Sequence, residues 1–220
     1  MKIAILYSGL YRKWDGWMQN HLSNLPKGDI YLSTWESERP KVDVDRMRYF
    51  PDPEPTYNCY QVPEFMEVHG EHLQHKGSEI PRLKTGYFQH LAHWLLLDSI
   101  KKNYDIIIRM RYDTFLGNTD KLMELCEQCN RDGASIGIGN TNRKDDENKL
   151  MAFQPLLPFR ASKPFLLDFM TIHKPEACLN VCSLVEQERM MPTNAGWHQI
   201  LGMNGFRNYR GAIQLKRYMP

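Results

Sequence analysis

Tyr104-Asp105-Ile106-Ile107-Ile108-Arg109-Met110-Arg111-Tyr112-Asp113 is a run of apolar, β-branched residues that ends abruptly in two arginines and a carboxylate. It is too short for a free-standing helix and rich in isoleucine, which predicts a buried central strand. In open α/β sheets ligands bind outside the carboxyl ends of the strands, so Arg109, Arg111 and Asp113 are expected where a site opens. The same three residues also suit an Arg–Asp ion pair at the rim of a sheet. The flanking chain has to separate the two readings.

Upstream, Leu83 to Asn103 carries Leu83, Tyr87, Leu91, Trp94, Leu95 and Asp98 on successive turns, with Lys101 and Lys102 placed to complement the helix dipole. That helix should lie against the sheet and feed the central strand, and Gln89 is its candidate for reaching a ligand. Downstream, a turn at Gly117-Asn118 leads to a helix from about Asp120 to Asn130 and a strand from Ala134 to Gly139. At the start of the chain, Lys2 to Tyr7 is a short apolar strand that stops at Ser8-Gly9. Helical spacing then runs from Tyr11 through Trp14, Trp17, Met18, His21, Leu22 and Leu25, and Asp29 to Ser33 is a second strand. Strand, tight turn, helix and strand make a βαβ unit with parallel pairing. The turn would set the amides of Ser8 and Gly9, with Arg12, near a helix start, where a phosphate is favoured; it also serves simply as a tight connection.

The expectation is therefore an α/β chain, one domain over residues 1–220, with a mostly parallel central sheet flanked by helices. Residues 35–80 are broken by Pro40, Pro51, Pro53, Pro55 and Pro63 and read as an irregular excursion, in which His69, His72 and His75 are placed on a solvated helix face. Residues 160–205 read as a helical region: one helix from Ser162 or Lys163 to about His173, a second from Pro175 to Met190, a third opening at Asn194. Late strands are expected at Phe206 to Tyr209 and Ala212 to Arg217.

Composition narrows the function. Twenty-eight Lys and Arg against 26 Asp and Glu leave +2, so any anionic partner must be met by local clusters. The five cysteines, Cys59, Cys126, Cys129, Cys178 and Cys182, are odd in number, and the chain reads as lacking a signal peptide, which argues against a disulfide framework. Cys126 and Cys129 form a CxxC with no second pair at zinc-site spacing and are read as buried apolar residues. No apolar run reaches the length of a membrane span, so a soluble, cytoplasmic protein is expected. The Gly-rich loop of a Rossmann methyltransferase is missing after the first strand.

Ser8-Gly9-Leu10-Tyr11-Arg12, the Asp29-x-x-x-x-Thr34-Trp35 strand, the Phe88-Gln89 pair, Arg109-x-Arg111-x-Asp113 and a distal Trp197-His198 occur in an order that resembles the small glycosyltransferases of the A-type nucleotide-diphosphosugar fold, lipopolysaccharide-synthesis types and phage-encoded relatives among them. The resemblance covers roughly the first two-thirds of the chain. It implies a Rossmann-like domain that moves a sugar from a nucleotide-diphosphate sugar to a hydroxyl of a glycan or of a hydroxymethylated base in phage DNA. Ser8, Gly9, Arg12, Gln89, Arg109 and Arg111 would bind the donor. Asp113 would hold Mn²⁺ or Mg²⁺, with His198 as a further ligand, although Arg111 stands where a paired acidic motif has its first carboxylate and could itself neutralise a leaving diphosphate. Asp146 in the 140–148 loop is the candidate general base, and Asp113 and Arg111 complete the catalytic set. Arg160, Lys163 and Trp197 would face the acceptor, with Tyr112, Phe153 or Trp197 as a stacking surface if that acceptor is a base. A catalytically silent binding protein on the same fold stays open, because fold alone does not establish activity.

Overall fold

The computed structural model describes residues 1–9, 11, 15–50, 92–93, 96–100, 103–112, 114–115, 119–139, 148–152, 166–167, 169–178, 201–210 and 216–217. Their strands are β1 (Ile3–Ser8), β2 (Asp29–Trp35), β3 (Arg46–Phe50), β4 (Ile106–Met110), β5 (Thr114–Phe115), β6 (Ser135–Ile138), β7 (Met170–His173), β8 (Phe206–Tyr209) and β9 (Lys216–Arg217). Two helices accompany them, α1 (Asp15–Leu22) and α2 (Thr119–Asp132). Seven strands form one sheet in the order β3-β2-β1-β4-β7-β6-β8, and β5 pairs with β9 in a separate ribbon. Pairing is parallel from β3 through β4 and between β6 and β8; β7 runs antiparallel to both its neighbours.

Centrality of the isoleucine run follows from its burial: every residue of β1 and of β4 is buried, as strands covered on both faces must be. Side chains alternate along a strand, so the register divides this sheet into two chemically different faces. One carries Ile3, Ile5, Tyr7, Leu32, Ile106, Ile108, Met110, Ile136, Ile138, Met170 and Ile172, and it packs with Met18 and Leu22 of α1 and Leu122, Leu125, Cys126 and Cys129 of α2 in one apolar cluster. On the other, Leu6, Arg109 and Thr171 share a row, as do Ala4, Ile107 and His173, so polar side chains are interleaved with apolar ones. Residues 92–93 and 96–98 are helical, and the Ser33 hydroxyl donates to the Ala92 carbonyl at 3.2 Å, which sets that segment over the second face.

The parallel β1–α1–β2 unit stands as expected. Three expectations are corrected. The helix expected to end near His173 instead has a strand there: Met170–His173 is β7, buried throughout and inserted between β4 and β6. The irregular excursion at 35–80 contributes an edge strand, β3, parallel to β2, while its residues 51–80 lie outside the described ones. Pro175–Cys178, expected to open an α-helix, is a 3-10 turn.

Candidate functional site

The carboxyl ends of β1, β2 and β4 lie side by side, with β1 in the middle. β1 ends at Ser8, and Gly9 follows with φ 112°, a left-handed conformation that side chains rarely adopt. Its amide donates to the Ser33 carbonyl at 3.1 Å, so the turn is tied down onto β2. Ser8 is 1% exposed, and its hydroxyl has no hydrogen-bond partner among the described residues. A buried hydroxyl in that state is an exception in folded proteins and asks for an explanation at this place in the sheet.

β4 ends at Met110, and the two residues after it diverge. Arg111 is half-buried, its guanidinium carbon 5.5 Å from the centroid of the Phe169 ring. Tyr112 turns inward and is 3% exposed. Its phenol oxygen accepts from the Ser33 amide at 3.1 Å, and its one proton lies between the carbonyls of Tyr7 at 3.1 Å and Ser33 at 3.0 Å. The ring stacks on Tyr7 at 5.6 Å and meets Tyr11 edge-on at 5.1 Å. Burial pushes its pKa well up, so the phenol stays neutral. Beyond it, the Arg111 carbonyl accepts both the amide of Thr114 at 3.2 Å and its hydroxyl at 2.7 Å, which ties Thr114 back to the end of β4. β9 then pairs with β5, Arg217 opposite Thr114 and Lys216 opposite Phe115, so the end of the chain returns to the residues that follow the motif.

Two sequence expectations change here. Arg109 does not emerge at the opening: it is 0% exposed inside β4, on the polar face of the sheet. Thr171 is its cross-strand partner, and the imidazole of His173, stacked edge-on at 5.7 Å from that of His93, feels its charge. Tyr112 is not a surface on which a base could stack, because its ring is enclosed by Tyr7 and Tyr11. Strand parity was the legible signal, since Ile106, Ile108, Met110 and Tyr112 fall on one side and the first three belong to the core. Ser8, Gly9 and Arg111 are brought to neighbouring strand ends; Arg12, Gln89, Asp113, Asp146, Arg160, Lys163, Trp197 and His198 lie outside the described residues. Among the described residues no three His, Cys, Asp or Glu side chains converge as a metal site. Cys126 and Cys129 are buried against the sheet, and burial pushes both thiols up, Cys129 to about 12, which makes them packing groups. No helix of the described residues is long and apolar enough to cross a membrane.

No protein-family model matches the chain, and comparison by sequence with curated proteins finds no match. Comparison by structure does. The whole chain superposes on 60% of residues 1–349 of TarS from S. aureus, a structure in complex with UDP-GlcNAc, with a TM-score of 0.53 and 9% identity. The chain shares with it a Rossmann-like α/β fold. The 4-diphosphocytidyl-2C-methyl-D-erythritol synthase of Anaerococcus prevotii is a second similar structure, with a TM-score of 0.50 and 10% identity over 96% of this chain and 87% of that one. At these identities the likeness concerns the fold, and this chain spans less than two-thirds of the TarS fragment's length.

Proposed function

We propose that the protein is a glycosyltransferase that takes a sugar from a nucleotide-diphosphate donor held at the carboxyl ends of β1, β2 and β4. The observation that carries this reading is the buried Ser8 hydroxyl, without a hydrogen-bond partner among the described residues, beside the left-handed Gly9, with Arg111 at the end of the adjacent strand, in a fold that in TarS accompanies UDP-GlcNAc. Ligands of open α/β sheets occupy this crevice. Ser8 and the Gly9 turn serve the nucleotide side, together with Arg12 and Gln89, and Arg111 and Asp113 serve the diphosphate. In transfer, an acceptor oxygen forms a bond to the anomeric carbon while that carbon's bond to the diphosphate breaks. The acceptor proton goes to a base or to the departing phosphate, and a guanidinium near the leaving group stabilises the charge that develops there. Asp146 is the proposed base, and Arg160, Lys163 and Trp197 the acceptor side.

A divalent cation would supply further charge at the diphosphate, and Asp113 with His198 would hold it; the described residues alone do not make a cation site. The acceptor is proposed to be a glycan hydroxyl or a hydroxymethylated base in phage DNA, and the place of action the cytoplasm. Incubation of the protein with a panel of sugar nucleotides, with glycan and hydroxymethylcytosine-DNA acceptors, tests all of this by mass. Release of nucleoside diphosphate with one donor is expected, and it is lost in Asp113→Ala while the fold persists. Chelator should lower turnover and Mn²⁺ restore it. Release of pyrophosphate from a nucleoside triphosphate and a sugar phosphate would replace this reading with nucleotidyl transfer, the chemistry that the second fold neighbour's name suggests. Near-normal transfer by Asp113→Ala would remove that residue from the mechanism.

A further inference from the structure

Tyr112 lies in sequence between the two residues assigned to the diphosphate, yet its own side chain turns into the core and, among the described residues, bonds only to backbone: the amide and carbonyl of Ser33 and the carbonyl of Tyr7. Those atoms lie near the carboxyl ends of β2 and β1, and the same Ser33 carbonyl also receives the Gly9 amide at 3.1 Å. One phenol therefore joins the carboxyl end of β2, the carboxyl end of β1 with its Ser8-Gly9 turn, and the chain leaving β4. A Phe at this position would keep both ring contacts and remove all three hydrogen bonds. Core packing alone does not ask for the hydroxyl: Tyr7, against which the ring lies, is fully buried with a hydroxyl that has no hydrogen-bond partner among the described residues.

We infer that Tyr112 is a positioning residue, which fixes Arg111 beside the Ser8-Gly9 turn so that the two halves of a nucleoside diphosphate are met at one spacing. The inference rests on the proposed donor site. It requires that loss of the phenol hydroxyl weaken recognition of the nucleoside diphosphate more than recognition of the nucleoside, because the nucleoside engages only the Ser8-Gly9 side whereas its diphosphate spans both segments. A residue with a merely structural role lowers the folded fraction and leaves the ratio of the two affinities unchanged.

The test compares wild type, Tyr112→Phe, Tyr7→Phe and Asp113→Ala by calorimetric titration with uridine, cytidine, guanosine and thymidine and with their diphosphates. For the nucleotide that wild type prefers, Tyr112→Phe should lower the diphosphate-to-nucleoside affinity ratio by about tenfold or more, whereas Tyr7→Phe should leave it unchanged. A wild-type ratio in a folded Tyr112→Phe protein, with Asp113→Ala impaired, overturns the positioning role and leaves the donor site standing. Wild-type protein that binds none of the diphosphates removes the donor site and this inference with it. Should Tyr112→Phe fail to fold, hydrogen exchange of wild type decides: the Ser33 and Gly9 amides should exchange more slowly with the preferred diphosphate than with its nucleoside, and equal rates overturn the inference.

Discussion

At the scale of single residues, the glycines separate two kinds of cause. Gly137 in β6 lies on the polar face, where the backbone of Leu167 crosses the sheet and its amide donates to the Asn208 side-chain carbonyl at 3.0 Å. A Cβ built on Gly137 would stand 2.5 Å from the Leu167 nitrogen and 2.6 Å from its carbonyl oxygen, both backbone atoms that cannot swing aside. Gly16 in α1 has nothing within 4 Å of the equivalent position. Gly137→Ala should therefore cost about 1–3 kcal/mol through overpacking, while Gly16→Ala should stabilise by about 0.5–1 kcal/mol because a helical glycine gives up more backbone freedom than alanine. Urea unfolding of the two variants, read at one wavelength for secondary structure and another for tryptophan, checks the opposite signs. Equal effects would mean that the Leu167 crossing yields more easily than its backbone contacts imply.

At the scale of elements, what could be read from sequence depended on whether local pattern and tertiary pairing agree. β1, β2, β4, α2, β6 and β8 lie where apolar runs or helical spacing put them, because each carries its pattern in its own residues. β7 does not: Met170-Thr171-Ile172-His173 is only four residues long, and its conformation is imposed by hydrogen bonding to β4 on one side and β6 on the other. Its alternation of Met170 and Ile172 with Thr171 and His173 spans only two periods, too few to mark a strand by itself. β3 was legible after all, since Arg46-Met47-Arg48-Tyr49 alternates, but the surrounding prolines masked the period. The dependence of β7 on its neighbours is testable. Ile172 is fully buried, and its carbonyl lies 3.8 Å from the Cys129 sulfur of α2, so Ile172→Ala opens space between sheet and helix. A loss of about 2–5 kcal/mol is expected in urea unfolding. A loss below about 1 kcal/mol would show that α2 settles into the space and that this strand is less tightly held than its burial indicates.

At the scale of the whole molecule, the sheet places apolar side chains toward α1 and α2 and sets the polar side chains of Arg109, Thr171 and His173 on its opposite face. Sequence could show that charged residues follow an apolar strand, and parity sets Tyr112 on the core side; it could not show that Arg109 stays inside, because that depends on which strands lie alongside. The same enclosure makes stability depend on pH. Burial holds His21 at about 4, below its ordinary 6.5. His173 is also held at about 4, by burial first, against the Lys174 carbonyl to which its Nδ1–H donates, with the Arg109 charge adding to the lowering. Both groups are neutral in the folded chain at neutral pH. As pH falls through 6.5 the unfolded chain binds protons that the folded chain refuses until about pH 4, so the unfolded state gains and stability drops. Between pH 7 and 5, above the range where carboxylates ordinarily titrate, the loss should be on the order of 2 kcal/mol per histidine. His21→Phe keeps an aromatic ring beside Tyr7, which the imidazole meets edge-on at 5.9 Å, and removes one of these two buried titrating groups. Urea midpoints measured in half-unit steps should fall across this window in wild type and fall about half as steeply in His21→Phe; parallel curves for the two proteins would mean that His21 takes up its proton in the folded chain as readily as in the unfolded one.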